Sequence, residues 1–285
     1  MFNLKFGLTD AMTMKLFPGL RLPAFRISRS RGAVAWIGAA MALLLGLAAA
    51  PAWAEKAADG DVLAREMLSR AESIRFPEGG FQVDVAITTT QPGSEPDVRA
   101  YRILSKGNNQ TLVQTTAPVV DRNQILLMRD RDLWAFLPNL SQPIRLPLSQ
   151  RLTGQVANGD LARANFAGDY APKILRKEKI EGETYQVLQL DAVDKWITYR
   201  RVLYWVNTRN ARPYKAEFYA LSGRLLKTAH YQEFATLGGE SRPTRILVED
   251  ALRKGHSSVL EYSNMAERDL PDKIFTKDYL KKLSR

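Results

Sequence analysis

Alternation with a period of two constrains this chain more than any other feature. From Phe81 it reads FQVDVAITT, with Phe81, Val83, Val85 and Ile87 on one face of an extended strand and Gln82, Asp84 and Ala86 on the other. Similar runs follow at VRAYRILSK (98–106), QTLVQTT (110–116), QILLMR (124–129) and DLWAFL (132–137). After a central loop come KILRKEKI (173–180), TYQVLQLDA (184–192), ITYRRVLYWV (197–206), PYKAEFYA (213–220), RLLKTAHYQEF (224–234), RPTRILVED (242–250) and SSVLEYSNM (257–265). Short turn signals separate them, among them Gly107-Asn108-Asn109, Glu181-Gly182, Ser222-Gly223, Gly238-Gly239 and Lys254-Gly255. The pattern predicts a mainly β chain with a few helices, an antiparallel meander of about 11–12 strands. Twisted open sheets rarely stay flat beyond about ten strands, so an incomplete barrel is expected.

Three segments fall outside the meander. Residues 59–75, DGDVLAREMLSRAESIR, predict a helix with Leu63, Met67, Ala71 and Ile74 at helical spacing. The stretch from about 138 to 172 predicts a loop with one short helix near 159–166. At the C-terminus Phe275, Tyr279 and Leu283 recur at i, i+4 and i+8, which predicts a short amphipathic helix.

The beginning of the chain reads as a targeting signal. Residues 33–50, AVAWIGAAMALLLGLAAA, follow Arg21, Arg26, Arg29 and Arg31 and precede Ala52-Trp53-Ala54. A basic region, an apolar run and a small-x-small site predict a secretory signal over 1–54, cleaved before Glu55, with a single domain over 55–285. Without 1–54 the chain keeps 35 basic and 29 acidic side chains, spread along its length. That distribution lacks the basic stripe of a nucleic-acid binder. The chain has no cysteine, so an exported form stands on a buried core and lacks the residue that a diacylglyceryl anchor requires. The expected form is exported, soluble and unanchored.

No catalytic constellation emerges. The two histidines, His230 and His256, sit in a strand-like run and beside a turn. GHSSV (255–259) lacks the second glycine of a nucleophile elbow, and neither an H-E-x-x-H pair nor a phosphate-cradling glycine loop is present. No cofactor or metal is expected, and the chain does not read as an enzyme.

Apolar bulk, by contrast, is concentrated. LWAFLPNLSQPIRLPLSQR (133–151) is too apolar for a solvated loop and, with Pro138, Pro143 and Pro147, too broken for a core helix. Its Trp134, Phe136, Leu140, Ile144 and Leu146 join Leu203, Trp205, Phe218 and Tyr231 as candidate lining of a hollow. A sheet curled around such side chains is a natural lipid container. Each buried CH₂ of an acyl chain contributes about 0.8 kcal/mol, with no catalytic residue required.

The order of these pieces resembles a known family. DVLAREMLSRAES, FQVDVAITTT, LWAFLPNLSQPIRLPLSQR, GDLARANFAGDY, PYKAEFYALSGRLLKTAHYQEF and LPDKIFTKDYLKK together look like the LolA-like outer-membrane lipoprotein-sorting proteins of Gram-negative envelopes. The likeness is greatest to a periplasmic subgroup often found beside lipid-exporting membrane pumps. It implies an incomplete antiparallel barrel whose concave apolar face is covered by helices and a loop. It also implies a carrier or chaperone for lipid or lipoprotein acyl chains, working between an inner-membrane exporter and an outer-membrane acceptor. A lipid- or lipoprotein-sensing module of the same fold is the alternative. In the lipoprotein carriers a lid arginine serves cargo handover, and no arginine here is assigned to that position.

Overall fold

The computed structural model describes residues 52–107, 109–163 and 165–283. The expected signal segment lies outside the described residues as far as Pro51. Helix α1 (Ala52–Arg75) starts before the expected Asp59, so the expected cleavage point falls in its first turn.

Thirteen strands form one antiparallel sheet, in the order β6-β5-β4-β3-β2-β1-β15-β14-β13-β12-β11-β10-β9. One half comprises β1 (Phe81–Thr90), β2 (Asp97–Lys106), β3 (Gln110–Ala117), β4 (Ile125–Arg129), β5 (Asp132–Phe136) and β6 (Ile144–Leu146). The other comprises β9 (Tyr170–Ile180), β10 (Glu183–Ala192), β11 (Arg201–Asn207), β12 (Pro213–Tyr219), β13 (Leu225–Leu237), β14 (Glu240–Asp250) and β15 (Ser257–Glu267). Every neighbouring pair but one follows chain order; the exception joins β1 to β15 and stitches the two halves together.

The sheet curls but does not close. Thirteen flat strands would span roughly 60 Å at about 4.8 Å each. Met128 and Leu133 near one edge nevertheless share a core with Leu188 and Val202 near the other. Alternation sends Phe81, Val83, Val85 and Ile87 into this concave core, and all four are buried. Arg131 from the β4–β5 turn and Asp194 after β10 form a 2.6 Å ion pair that ties the two halves across the opening.

Helix α1 packs against β9, β11 and β14. Its buried stripe is Ala64, Leu68 and Ala71, while Leu63 is exposed, so the helix is turned by one residue from the expected face. The segment after β6 covers the rest of the opening. It consists of β7 (Arg151–Thr153) and β8 (Val156–Ala157), paired with each other, then helices α2 (Asn158–Ala162) and α3 (Phe166–Asp169). Leu148, Val156, Leu161, Ala162 and Phe166 of this segment enter the concave core.

A second apolar cluster lies on the outer face. Leu112, Ile125, Leu127 and Phe136 pack there with Leu270, Phe275 and Leu280. A turn at Asp272–Phe275 and helix α4 (Lys277–Leu283) supply this cover. The expected stripe of Phe275, Tyr279 and Leu283 is corrected in part, since Leu280 is the fully buried helical residue and Tyr279 packs at the margin.

Candidate functional site: the cavity beneath the covering segment

The buried stripe of α1 continues at the same spacing to Arg75, so helical geometry delivers a guanidinium into the concave interior. Arg75 is 8% exposed. Its Nη1 donates to Glu72 Oε1 at 3.3 Å, and its guanidinium lies 4.7 Å from the ring centre of Phe166 and 5.8 Å from that of Tyr231. Among the described residues, Arg75 Nε finds no hydrogen-bond partner. Burial raises the Glu72 carboxyl above its ordinary range, an effect opposed by the neighbouring Arg75 charge. The other Glu72 oxygen accepts from the Ala167 amide at 2.7 Å, which fastens α1 to α3.

Around this cation the sheet presents aromatic rings. Tyr170, Tyr199, Phe218, Tyr231 and Tyr262 line a cavity of 70 Å³ together with Ile246 and Leu260. Burial raises the Tyr170, Tyr199, Tyr231 and Tyr262 phenols, so they stay neutral at physiological pH. A second cavity of 30 Å³ lies beside Phe76, Phe81, Val83 and Ile103, and both cavities share Asp160, Arg163 and Tyr262 in their walls.

Asp160 of α2 is the hub of the cover. It pairs with Lys227 of β13, itself 8% exposed, and accepts from the Tyr199 hydroxyl at 2.9 Å. Lys227 Nζ also donates to the Gln155 carbonyl at 3.0 Å. Arg163 Nε donates to Asp169 Oδ2 at 2.7 Å and a second arm reaches the Asp130 carbonyl, which links the cover to the β4–β5 turn. The β7–β8 turn uses Gly154 at φ +48°, where an added Cβ would lie 2.2 Å from Thr89 Oγ1 and 2.3 Å from Ser258 Oγ. Only glycine allows the turn to sit this close to the sheet.

A wider cleft of 1180 Å³ opens beside the cavity, and Ile197 and Thr198 line both. Its walls mix Leu146, Leu148, Trp196, Leu221 and Leu226 with Arg131, Arg145, Lys195 and Arg200. Residues 197–200, expected as the start of a strand, instead form the connection before β11 and shape this passage.

Of the nine residues expected to line a hollow, Phe218 and Tyr231 stand in the cavity wall and Leu146 in the cleft. The others are corrected. Trp134 and Phe136 point to the outer face, where the C-terminal segment covers them and Lys277 Nζ sits 3.0 Å from the Trp134 ring centre. Leu203 and Trp205 alternate against the inward set of Val202, Tyr204 and Val206. Trp205 is buried on the outer face between Lys215 and Arg176, with its Nε1 donating to Glu178 at 2.7 Å. Leu140 is exposed in a loop, and Ile144 is exposed on the edge strand β6. The prolines therefore do not carry residues 138–147 over the opening; β6 returns alongside β5, and the cover begins later, at Leu148.

Arg75, Asp160 and Lys227 were not singled out in the sequence. The one local sign was the spacing of Arg75 from Ala64, Leu68 and Ala71.

Comparison with known proteins places this architecture. A family model described as "Uncharacterized protein" matches residues 107–282. A crystallographically solved LolA superfamily protein of Nitrosomonas europaea is 59% identical, with a TM-score of 0.73 over 76% of this chain and 98% of its own. The chain belongs to the LolA superfamily. Two more distant structures share the LolA fold: a Vibrio parahaemolyticus domain assigned to outer membrane lipoprotein sorting and a DUF1329 family protein of Desulfovibrio piger. The first is 22% identical over 78% of this chain and 99% of its own, at TM-score 0.67. The second is 19% identical over the same shares, at TM-score 0.67. No curated protein matches the chain. The superfamily fold accounts for the open sheet with α1 and the covering segment on its concave side.

Proposed function

We propose that this protein is a periplasmic carrier that holds the acyl chains of a lipid or lipoprotein against the concave face of its sheet. It travels between an inner-membrane exporter and an outer-membrane acceptor. The observation that carries this reading is an aromatic cavity roofed by a segment fastened to its surroundings through a few side chains rather than by sheet pairing. Gln155, Asp160, Arg163 and Glu72 supply most of these ties.

Volume decides how such a carrier works. The cavity holds 70 Å³, against about 150 Å³ for an apolar cavity that takes benzene. An acyl chain reaches the inner cavity when residues 148–169 move off the sheet and join the two cavities to the cleft at Ile197. Release of the Asp160–Lys227 pair is the step that frees the cover. Binding then gains about 0.8 kcal/mol per buried CH₂, enough to offset lost cover contacts for a chain of ordinary length.

Native mass spectrometry of the protein isolated from its own envelope, followed by lipid extraction, tests the reading. Co-purifying lipid, or uptake of offered fatty acid or lipopeptide, supports it. Protein that is consistently empty and takes up neither refutes it.

A further inference from the structure

The two rims of the sheet differ in a way that lipid binding inside it does not require. Six connections stand side by side along one rim: β5–β6, β3–β4, β1–β2, β14–β15, β12–β13 and β10–β11. Neighbours touch: Arg99 pairs with Asp121 at 2.7 Å, Gly255 abuts Pro92, and the Ala251 amide donates to the Leu226 carbonyl at 3.0 Å. Five of the six expose large apolar side chains: Leu140, Val119 and Val120, then Leu252, Leu221, and Val193 with Trp196. Val120 is 86% and Leu221 84% exposed. At the opposite rim, the turns at 107–109, 181–182, 208–212 and 238–239 show no exposed large apolar residue among those described. Loop solvation alone does not produce that asymmetry, and clustered exposed apolar tips mark an interaction surface.

Charge identifies the partner. Four of these tips have a cation in their own loop: Arg122 beside Val120, Lys254 beside Leu252, Arg224 beside Leu221, and Lys195 and Arg200 around Trp196, while Arg253 is paired with Asp250. The two acids within those loops, Asp121 and Asp194, are already held by Arg99 and Arg131. The β1–β2 loop adds Pro92, Pro96 and the acid Glu95. Short apolar tips with flanking cations and a tryptophan suit the boundary of a bilayer, where aromatic rings sit at headgroup level and Lys or Arg meets anionic phosphate. The rim also adjoins the cleft, since Trp196 and Leu221 line it. We propose that this rim docks directly on an anionic phospholipid surface, with the mouth of the cleft turned toward the membrane.

Vesicle partitioning tests the proposal. The probe is vesicles of equal phosphatidylglycerol and phosphatidylethanolamine, with pure phosphatidylcholine as the neutral surface. The variant Val119→Ser/Val120→Ser/Leu252→Ser changes only exposed positions outside the cleft wall, and Val62→Ser/Leu175→Ser changes exposed apolar residues elsewhere. The rim variant should partition about tenfold more weakly onto anionic vesicles while the control matches the parent. Brominated lipid should quench a component of tryptophan emission that Trp196→Phe removes. A rim variant that binds like the parent, equal binding to neutral vesicles, or a Trp196 signal untouched by brominated lipid overturns the proposal. Lipid bound inside the rim variant, read by native mass spectrometry, separates this outcome from failure of the carrier reading.

Discussion

The guanidinium of Arg75 lies 4.7 Å from the ring centre of Phe166, so the last residue of α1 is held beneath the cover of the cavity. Glu72 completes the contact by pairing with Arg75 and accepting from the Ala167 amide. A charge pair within the helix thus holds the cover, through the Ala167 amide and the Phe166 ring.

That pair predicts an asymmetry between single and double variants. Arg75→Leu leaves Glu72 buried without its cation and should cost about 3 to 5 kcal/mol. Arg75→Leu/Glu72→Gln removes both charges and should recover most of the loss. Urea denaturation of the three proteins measures this, and equal loss in both variants would show that Arg75 acts through packing alone.

Asp160 should control the mobility of the cover. Asp160→Ala strands the buried Lys227 ammonium and frees the Tyr199 hydroxyl. Amides of 151–169 should then exchange at least about tenfold faster, with the sheet core little changed. Adding Lys227→Met should restore protection. Hydrogen exchange read by peptide resolves the two regions; acceleration spread evenly over the sheet contradicts the assignment.

Opposite faces of the sheet predict opposite phenotypes. Ala229 lines the cavity, so Ala229→Phe should fill it and weaken fatty-acid binding about tenfold, with an overpacking cost of about 1 to 3 kcal/mol. Trp134 packs with the outer cluster. Trp134→Ala should lower stability by about 1 to 3 kcal/mol yet leave fatty-acid affinity within about twofold. Fluorescent fatty-acid titration alongside thermal melts distinguishes them.

A pH effect is expected from the outer face as well. Asp84 accepts from Arg102 at 2.7 and 3.0 Å and from Asn264 at 3.1 Å, which lowers its carboxyl below the usual 3.8. A depressed folded value means the stabilisation is present above 3.8 and is lost as pH falls through the lower folded value. Asp84→Asn should cost up to about 1 kcal/mol at neutral pH, because the pair is partly exposed, and the gap should close in acid. Denaturation midpoints across pH follow it.

The strands were legible because alternation and glycine- or asparagine-bearing turns are local signals. Which face looks inward was legible in β1, where one side is polar, and not in β11, where both are apolar. There Trp205 is covered by the cationic heads of Arg176 and Lys215 from nearby strands, a burial that sequence spacing cannot reveal. Trp134 and Phe136 misled for another reason: their cover comes from Leu270, Phe275 and Leu280, far along the chain. Arg75 escaped notice because a lone arginine at a helix end ordinarily points to water; only the stripe of Ala64, Leu68 and Ala71 shows otherwise.

The central claim is that acyl chains occupy the concave cavity, and photolabelling measures this directly. A diazirine-bearing palmitate is bound, irradiated, and its adducts are mapped by peptide sequencing. The account predicts adducts on inward residues, chiefly Phe166, Phe218, Tyr231 and Tyr262, which competing palmitate suppresses. Adducts confined to the outward set of Trp134, Phe136, Leu203 and Trp205, or labelling that palmitate does not compete, would contradict it.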